Sequence, residues 1–313
     1  MQVFLACFIA YFKKKLYLCG KFWNTMSELV KRTLSGIVFV ACIVGCILWS
    51  QWAVMGLLLF VSMMAVDEFH RLVKSHILQR ICAGLGVLVL WFLTVCLTYE
   101  HPEGDLSALV FPMLMAYLPV MIVALLDEIW NRSEMPLAHW GNMLISQAMI
   151  ALPLLTMMVL YRLDHLLLLA LFVFIWVNDT GAYCVGSLTA KRPQGNHKMA
   201  PHVSPKKSWE GLIGGVVFAL IAAFVLWECG WFRIFGTGNV SLIMTIIFAV
   251  ATSLFGTLGD LMESLFKRSI GVKDSGHFLP GHGGVLDRFD SILLAAPVIT
   301  SYCWLCYFLV PLF

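Results

Sequence analysis

Charge is scarce in this sequence. Of 313 residues only 12% are Asp, Glu, Lys or Arg, against 60% apolar ones, and the net charge is +3 at pH 7. A nucleic-acid partner, which calls for a basic surface, is not expected, although locally basic loops suit anionic lipid or phosphate. With a mean hydropathy of +0.87, the composition also places the chain outside soluble globular averages. No G-x-x-x-x-G-K-[ST] occurs, so a nucleotide site here is not a P-loop. Paired zinc-ligand spacing is missing too: Cys303 and Cys306 form a C-x-x-C with no second pair, and the ten cysteines read as small side chains within apolar runs. No cleaved export signal is expected, because "MQVFLACFIAYFKKK" places its lysines after the apolar run, the reverse of a secretory leader.

What the chain has in abundance is apolar runs of membrane-spanning length. A crossing helix takes about 20 apolar residues, with a range of about 17 to 25. On that measure an all-α integral membrane protein is expected, with about nine spans near 36–49, 52–66, 80–98, 107–126, 142–160, 165–183, 211–229, 241–259 and 292–312. Residues 1–35 form a basic, amphipathic lead in which Met26 is read as the true start, 36–160 an N-terminal set of spans, and 161–313 a catalytic part. The first two spans are short and nearly contiguous, so they read either as a tight hairpin or as one tilted helix. Charge favours the hairpin: nine spans with the N-terminus inside put 19 of the 21 Lys and Arg on the cytoplasmic side, leaving Arg162 and Arg233 outside. The loops 184–210 and 260–290 then share one cytoplasmic surface.

Those two loops hold the unusual chemistry. Asp260, Glu263, Ser264 and Lys267 follow one another at i, i+3, i+4 and i+7, which sets them on one helical face as the eighth span ends. The ninth span opens with Asp287, Asp290 and Ser291 at i, i+3 and i+4, and Arg288 on a neighbouring face. A carboxylate at the centre of a spanning helix costs about 2.5 to 3.5 kcal/mol and normally has a partner. Two acidic helix ends meeting at one place suit a hard dication such as Mg2+, which takes oxygen ligands and keeps positions for phosphate. Internal salt bridges to Lys267, Arg268, Lys273 and Arg288 are the alternative, but they leave the glycines unexplained. Between the helix ends, "GHFLPGHGG" carries Gly276, Pro280, Gly281, His282, Gly283 and Gly284, whose backbone can approach an anion closely. Upstream, "HKMAPHVSPKKSWEG" offers Ser204, Lys206 and Lys207 as phosphate donors beside two helix-resisting prolines, and Asp179 lies about fourteen residues into an apolar span, where an acid is a functional candidate. Asp67 and Glu68 read as the mere end of the second span, and the histidines outside the glycine-rich loop as structural.

Read together, Ser264, Lys267, Arg268, Lys273, Asp274, Gly276, Pro280, Gly281, His282, Gly283, Gly284, Asp287, Arg288 and Asp290 form a long pattern. It closely resembles the signature of the phosphatidate cytidylyltransferases, or CDP-diacylglycerol synthases. "NDTGAY" at 178–183, "SPKKSWEG" at 204–211 and "GDLMES" at 259–264 resemble that family as well, whereas "SLTAKRPQGNHKMAP" is longer than the family's usual G-K-H-K-x-x-P link. The resemblance covers 176–313 in detail. It implies an integral membrane enzyme, homodimeric, dependent on magnesium with potassium accompanying it, that joins CTP and phosphatidate into CDP-diacylglycerol and pyrophosphate. It further implies metal binding by Asp260 and Asp287, with Glu263, Asp290 and Asp179 as ligands or orienters. Lys267, Arg268, Lys273, His282 and Arg288 would act on phosphate, with Ser204, Lys206, Lys207, Ser264, Gly283 and Gly284 in substrate binding. A multi-pass location in the cell membrane with a cytoplasmic active site follows. The rival readings are a related CTP-dependent transferase acting on a polyprenol or another lipid phosphate, and an ion-coupled transporter; the latter predicts polar groups in mid-membrane and an internal repeat, and neither is found in the sequence.

Overall fold

This computed structural model describes residues 28–96, 106–131, 135–193, 195–235, 239–276 and 283–309; Met26 and His282 lie outside them. The helices among the described residues are α1 (Glu28–Trp49), α2 (Gln51–Leu72), α3 (Ile77–Val95), α4 (Leu106–Asn131), α5 (Pro136–Leu163), α6 (His165–Thr189), α7 (Trp209–Glu228), α8 (Asn239–Ser269) and α9 (Leu286–Leu309). Each coincides with one of the expected apolar spans. Seven of them, α2, α3 and α5 to α9, have described stretches long and apolar enough to cross a membrane, while α1 carries the shorter apolar helix Thr33–Trp49.

Short polar residues set the breaks between helices. Ser50 adopts an extended backbone and its hydroxyl accepts from Ala53 N at 3.2 Å, which ends α1 and starts α2. Asp164 does the same between α5 and α6, accepting from Leu166 N at 2.8 Å, and Ser208 caps α7 by accepting from Gly211 N at 3.1 Å. Each such cap contributes about 1 kcal/mol. Because Ser50 interrupts the helix, α1 and α2 fold back as the hairpin: Ser35 near the start of α1 and Glu68 near the end of α2 both reach the acidic end of the molecule. Phe39 of α1 packs edge-on against Phe289 of α9 at 5.7 Å, which seats the hairpin there.

One departure from an all-helical chain is small. Lys198–Ala200 (β1) pairs antiparallel with Ser204–Ser208 (β2), Lys198 facing Ser208 and Ala200 facing Ser204. Pro201 lies in the turn and Pro205 in the strand, so the loop expected only to resist helix instead forms a hairpin that carries Lys206 and Lys207.

Apolar residues of α2, α5, α6 and α9 form the interior, with Phe174, Phe232 and Phe248 packed on one another at 5.4 to 6.1 Å. Helix α8 has 31 residues, about 46 Å at 1.5 Å per residue, against a hydrocarbon core of about 30 Å. Its last turns therefore run beyond the apolar stretch and carry Asp260 to Lys267 away from it. There α8 lies close against α9: a Cβ on Gly259 would stand 2.6 Å from Asp290 O and 3.1 Å from Ser291 O. Only a residue without a side chain permits that approach.

Candidate active site

Four carboxylates from three helices face one space. Asp179 from α6, Asp260 from α8, and Asp287 and Asp290 from α9 line a cavity of about 410 Å³, together with Arg288 and Ser291. Its other wall is apolar, formed by Phe39 and Val40 of α1 and Phe172, Ile175 and Trp176 of α6. A second cavity of about 230 Å³ adjoins it, lined by Lys206, Lys207, Tyr183, Asn178 and Thr257. Asp179 and Asp260 belong to both. The spacing that sets Asp260, Glu263, Ser264 and Lys267 on one helical face is thus realised on α8, and the two acidic helix ends do meet.

Cations are paired into this group. Lys207 Nζ stands 2.7 Å from Asp260 Oδ2 and donates to Thr257 O at 3.2 Å, so β2 is tied to α8. Lys267, buried, donates to Asp287 Oδ1 at 2.7 Å and forms an ion pair with Glu263. Ser264 Oγ donates to Asp260 Oδ1 at 3.3 Å. The second oxygen of Asp287 accepts from the backbone N–H of Gly284 and of Ser275, each at 2.9 Å. Asp287 is therefore held from both strands of the glycine-rich turn, and Gly283 beside it has a φ of 84°, in the region open to glycine.

Other expected residues stand apart. Arg268 is exposed and donates to Val203 O at 3.5 Å and Val272 O at 3.3 Å, which docks the hairpin loop onto α8. Lys273 is exposed, and Ser204 opens β2; neither lines the two cavities. Glu263 is buried behind the cavity, with Oε1 lacking a hydrogen-bond partner.

Glu68 was missed. Read as a span boundary, it is buried and reaches across the fold to accept from Ser275 Oγ and, at 2.8 Å, from Val285 N. A side chain on Gly284 would occupy the space of its carboxylate. Glu68 thus holds Ser275 and Val285, which lie on either side of the glycine-rich segment, and Ser275 N in turn donates to Asp287. Its neighbour Asp67 does behave as a boundary residue, paired with Arg71 at 2.7 Å and Arg80 at 2.6 Å. The only sequence signal for Glu68 was an acid in the last apolar turn of a span.

A profile described as the cytidylyltransferase family matches residues 30–306, from α1 into α9. The chain belongs to that family. The match takes in the α1–α2 hairpin as well as the acidic helix ends, so Ser35, Phe39 and Glu68 lie within the cytidylyltransferase unit. Among curated relatives, the phosphatidate cytidylyltransferase of Bacillus subtilis is 30% identical over 292 residues, 92% of this chain and 100% of the relative. Those of Haemophilus influenzae and Staphylococcus saprophyticus are 47% and 46% identical over 136 and 135 residues, 44% and 43% of this chain. In these two the matched stretch spans just under half of the relative's length, 45% and 47%. The protein also has a group of side chains able to hold a metal ion outside both cavities, His76, Glu128 and His139.

Proposed function

We propose that this cytidylyltransferase transfers CMP from CTP to phosphatidate, giving CDP-diacylglycerol and pyrophosphate at the inner face of the cell membrane. The observation that carries the reading is that Asp260 belongs to two adjoining cavities, one with an apolar wall and one with lysines, and pairs with Lys207 at their junction. The curated names of the relatives supply the substrates.

The reaction joins two anions. An oxygen of the phosphatidate phosphate attacks the α-phosphorus of CTP; the new P–O bond forms as the bridge to the β-phosphorus breaks, and its electron pair leaves with pyrophosphate. Mutual repulsion and misalignment are the barriers, so positioning and charge stabilisation do most of the catalysis. The apolar wall of α1 and α6 suits the glycerol and acyl end of the lipid, while Lys206 and Lys207 hold phosphate of CTP. Ser204 and Ser264 assist in substrate placement, as do the backbone groups at Gly283 and Gly284. Arg288, which lines the acidic cavity, stabilises the departing pyrophosphate, while Lys267 acts through the carboxylates it pairs with and Arg268 through the hairpin it docks; Lys273 and His282 would reach phosphate from the glycine-rich segment.

The carboxylates fit a divalent cation. Asp179, Asp260, Glu263, Asp287 and Asp290 outnumber the two lysines paired with them, and Glu263 Oε1 is buried without a partner. Such a cluster of negative charge, with Glu263 buried among it, is unfavourable unless neutralised. Asp260 and Asp287 would hold Mg2+, with Glu263, Asp290 and Asp179 as further ligands or orienting groups, and K+ as the accompanying ion. When bound, magnesium neutralises phosphate oxygens at the reacting centre. In this reading the chain crosses the membrane nine times, works as a homodimer, binds no nucleic acid and opens its site to the cytoplasm, where CTP arrives while the acyl chains stay in lipid.

The test is incubation of the purified protein with labelled CTP and a panel of phosphatidate, an ether-lipid phosphate and a polyprenol. Magnesium-dependent label in CDP-diacylglycerol is expected. Label in the polyprenol product alone, or none in any lipid, would overturn the assignment.

A further inference from the structure

Away from the acidic cavities, three helix ends bring two histidines and a glutamate together. His76 stands at the N-terminal boundary of α3, Glu128 in the last turn of α4, and His139 in the first turn of α5. Their ligand atoms all lie within 4.8 Å of one another. None of the three lines either cavity.

What points to a ligand is an unfilled oxygen. The Glu128 side chain is 2% exposed. Its Oε1 accepts from His139 Nδ1 at 2.8 Å and from Gln79 Nε2, whereas its Oε2 is buried with no hydrogen-bond partner. Leaving such an acceptor unmet costs about 1 to 3 kcal/mol, and more when it is charged. His76, although at the N-cap position of α3, makes no side-chain capping bond. Its ring instead faces that of His139 edge-on, with centroids 5.6 Å apart.

We propose that His76, Glu128 and His139 bind a divalent cation of the zinc class. Two imidazoles and one carboxylate are the donor set of a borderline transition metal, which takes nitrogen as readily as oxygen. Magnesium, with its preference for oxygen ligands, belongs to the other site. Gln79, already bonded to Oε1, orients the carboxylate as outer partners of metal ligands do.

Such an ion ties the α2–α3 turn to the end of α4 and the start of α5. The joint lies beside Asp67, which pairs with Arg80 one turn into α3, and Asp67 adjoins the Glu68 that holds the glycine-rich segment. The ion is therefore a fastener for the helices that position the site and takes no part in the reaction.

The experiment uses the full chain, purified in detergent without a histidine tag and stripped with chelator. It is equilibrated with Zn2+ or Mg2+, desalted and analysed for bound metal and for its unfolding temperature. One zinc per chain and a zinc-dependent rise in unfolding temperature are expected. His76→Ala and His139→Ala should each weaken zinc binding by at least about ten-fold, Glu128→Gln likewise, while Asp260→Asn and Asp287→Asn keep full stoichiometry. No retained zinc in the wild type, retention unchanged in both histidine variants, or loss in the aspartate variants would overturn the proposal. If Glu128→Gln does not fold, the half-exposed His76 decides the matter. Zinc binding is read without substrate, so it stands or falls separately from CMP transfer.

Discussion

Lys267 Nζ lies 2.7 Å from Asp287 Oδ1 and bridges α8 to α9, while the same ammonium pairs with Glu263 one turn back along its own helix. One buried cation thus holds two carboxylates. It ties the two acidic helix ends together where Asp287 lines the cavity.

Replacing Lys267 by Met leaves Glu263 and Asp287 buried without their cation. Breaking a buried ion pair by removing one partner costs about 3 to 5 kcal/mol. A marked fall in unfolding temperature is expected, with CMP transfer reduced at least about a hundred-fold. Lys267→Arg keeps the charge and should recover part of both. Thermal unfolding in detergent and product formation from labelled CTP check this.

Asp260→Asn separates chemistry from folding, whereas Asp287→Asn also breaks the buried pair with Lys267 and should lower the unfolding temperature as well. Each should abolish magnesium-dependent formation of CDP-lipid while membrane insertion and expression stay normal. Near-normal turnover in either variant removes that residue from metal binding. Asp260→Asn also frees Lys207, so weaker CTP binding is expected there in addition.

Glu68→Gln tests the hold on the glycine-rich segment. A carboxamide keeps one acceptor oxygen for Val285 N and can hold Ser275 only by donating to its hydroxyl, so the negative charge and the acceptor for the Ser275 O–H are lost. A fall of about ten-fold in turnover is expected, together with faster proteolytic cleavage between residues 271 and 285. Unchanged cleavage and turnover would mean that Glu68 does not position the turn.

Gly259→Ala places a methyl group against the backbone of Asp290 and Ser291. Overpacking of this kind costs about 1 to 3 kcal/mol, and here it spreads α8 from α9 at the acidic cluster. Lower stability and at least about ten-fold lower activity are expected together. Gly56→Ala is the control, since nothing lies within 4 Å of a Cβ there.

Arg71→Ala should do little. The side chain is 67% exposed, and its pair with Asp67 sits one turn away on the same helix; such pairs contribute less than about 1 kcal/mol. An unfolding temperature near that of the wild type, with unchanged CMP transfer, is the expected result.

Much of the architecture was legible from local pattern. Apolar run length located the helices, and i, i+3, i+4, i+7 spacing located the polar face of α8, because both depend on neighbours within a few residues. The charge count favoured the α1–α2 hairpin, which Ser50 enforces with an extended backbone. The β1–β2 hairpin was not foreseen, since three and five residues with two prolines close by carry almost no periodicity. Arg268 looked as suited to phosphate as Lys207, yet only Lys207 turns into a cavity. Which side of a helix end a long cation takes depends on what packs against it.

By itself the sequence determined a helical membrane protein with acidic helix tips and a glycine-rich turn between them, because hydrophobic run length and helical spacing are properties of adjacent residues. Tertiary structure alone decided that Glu68 meets Ser275, 207 positions away, that Asp260 stands between two cavities, and that His76, Glu128 and His139 converge. Those relationships arise where separate helices pack, and no local pattern encodes the distance between two helices that the chain reaches by different routes.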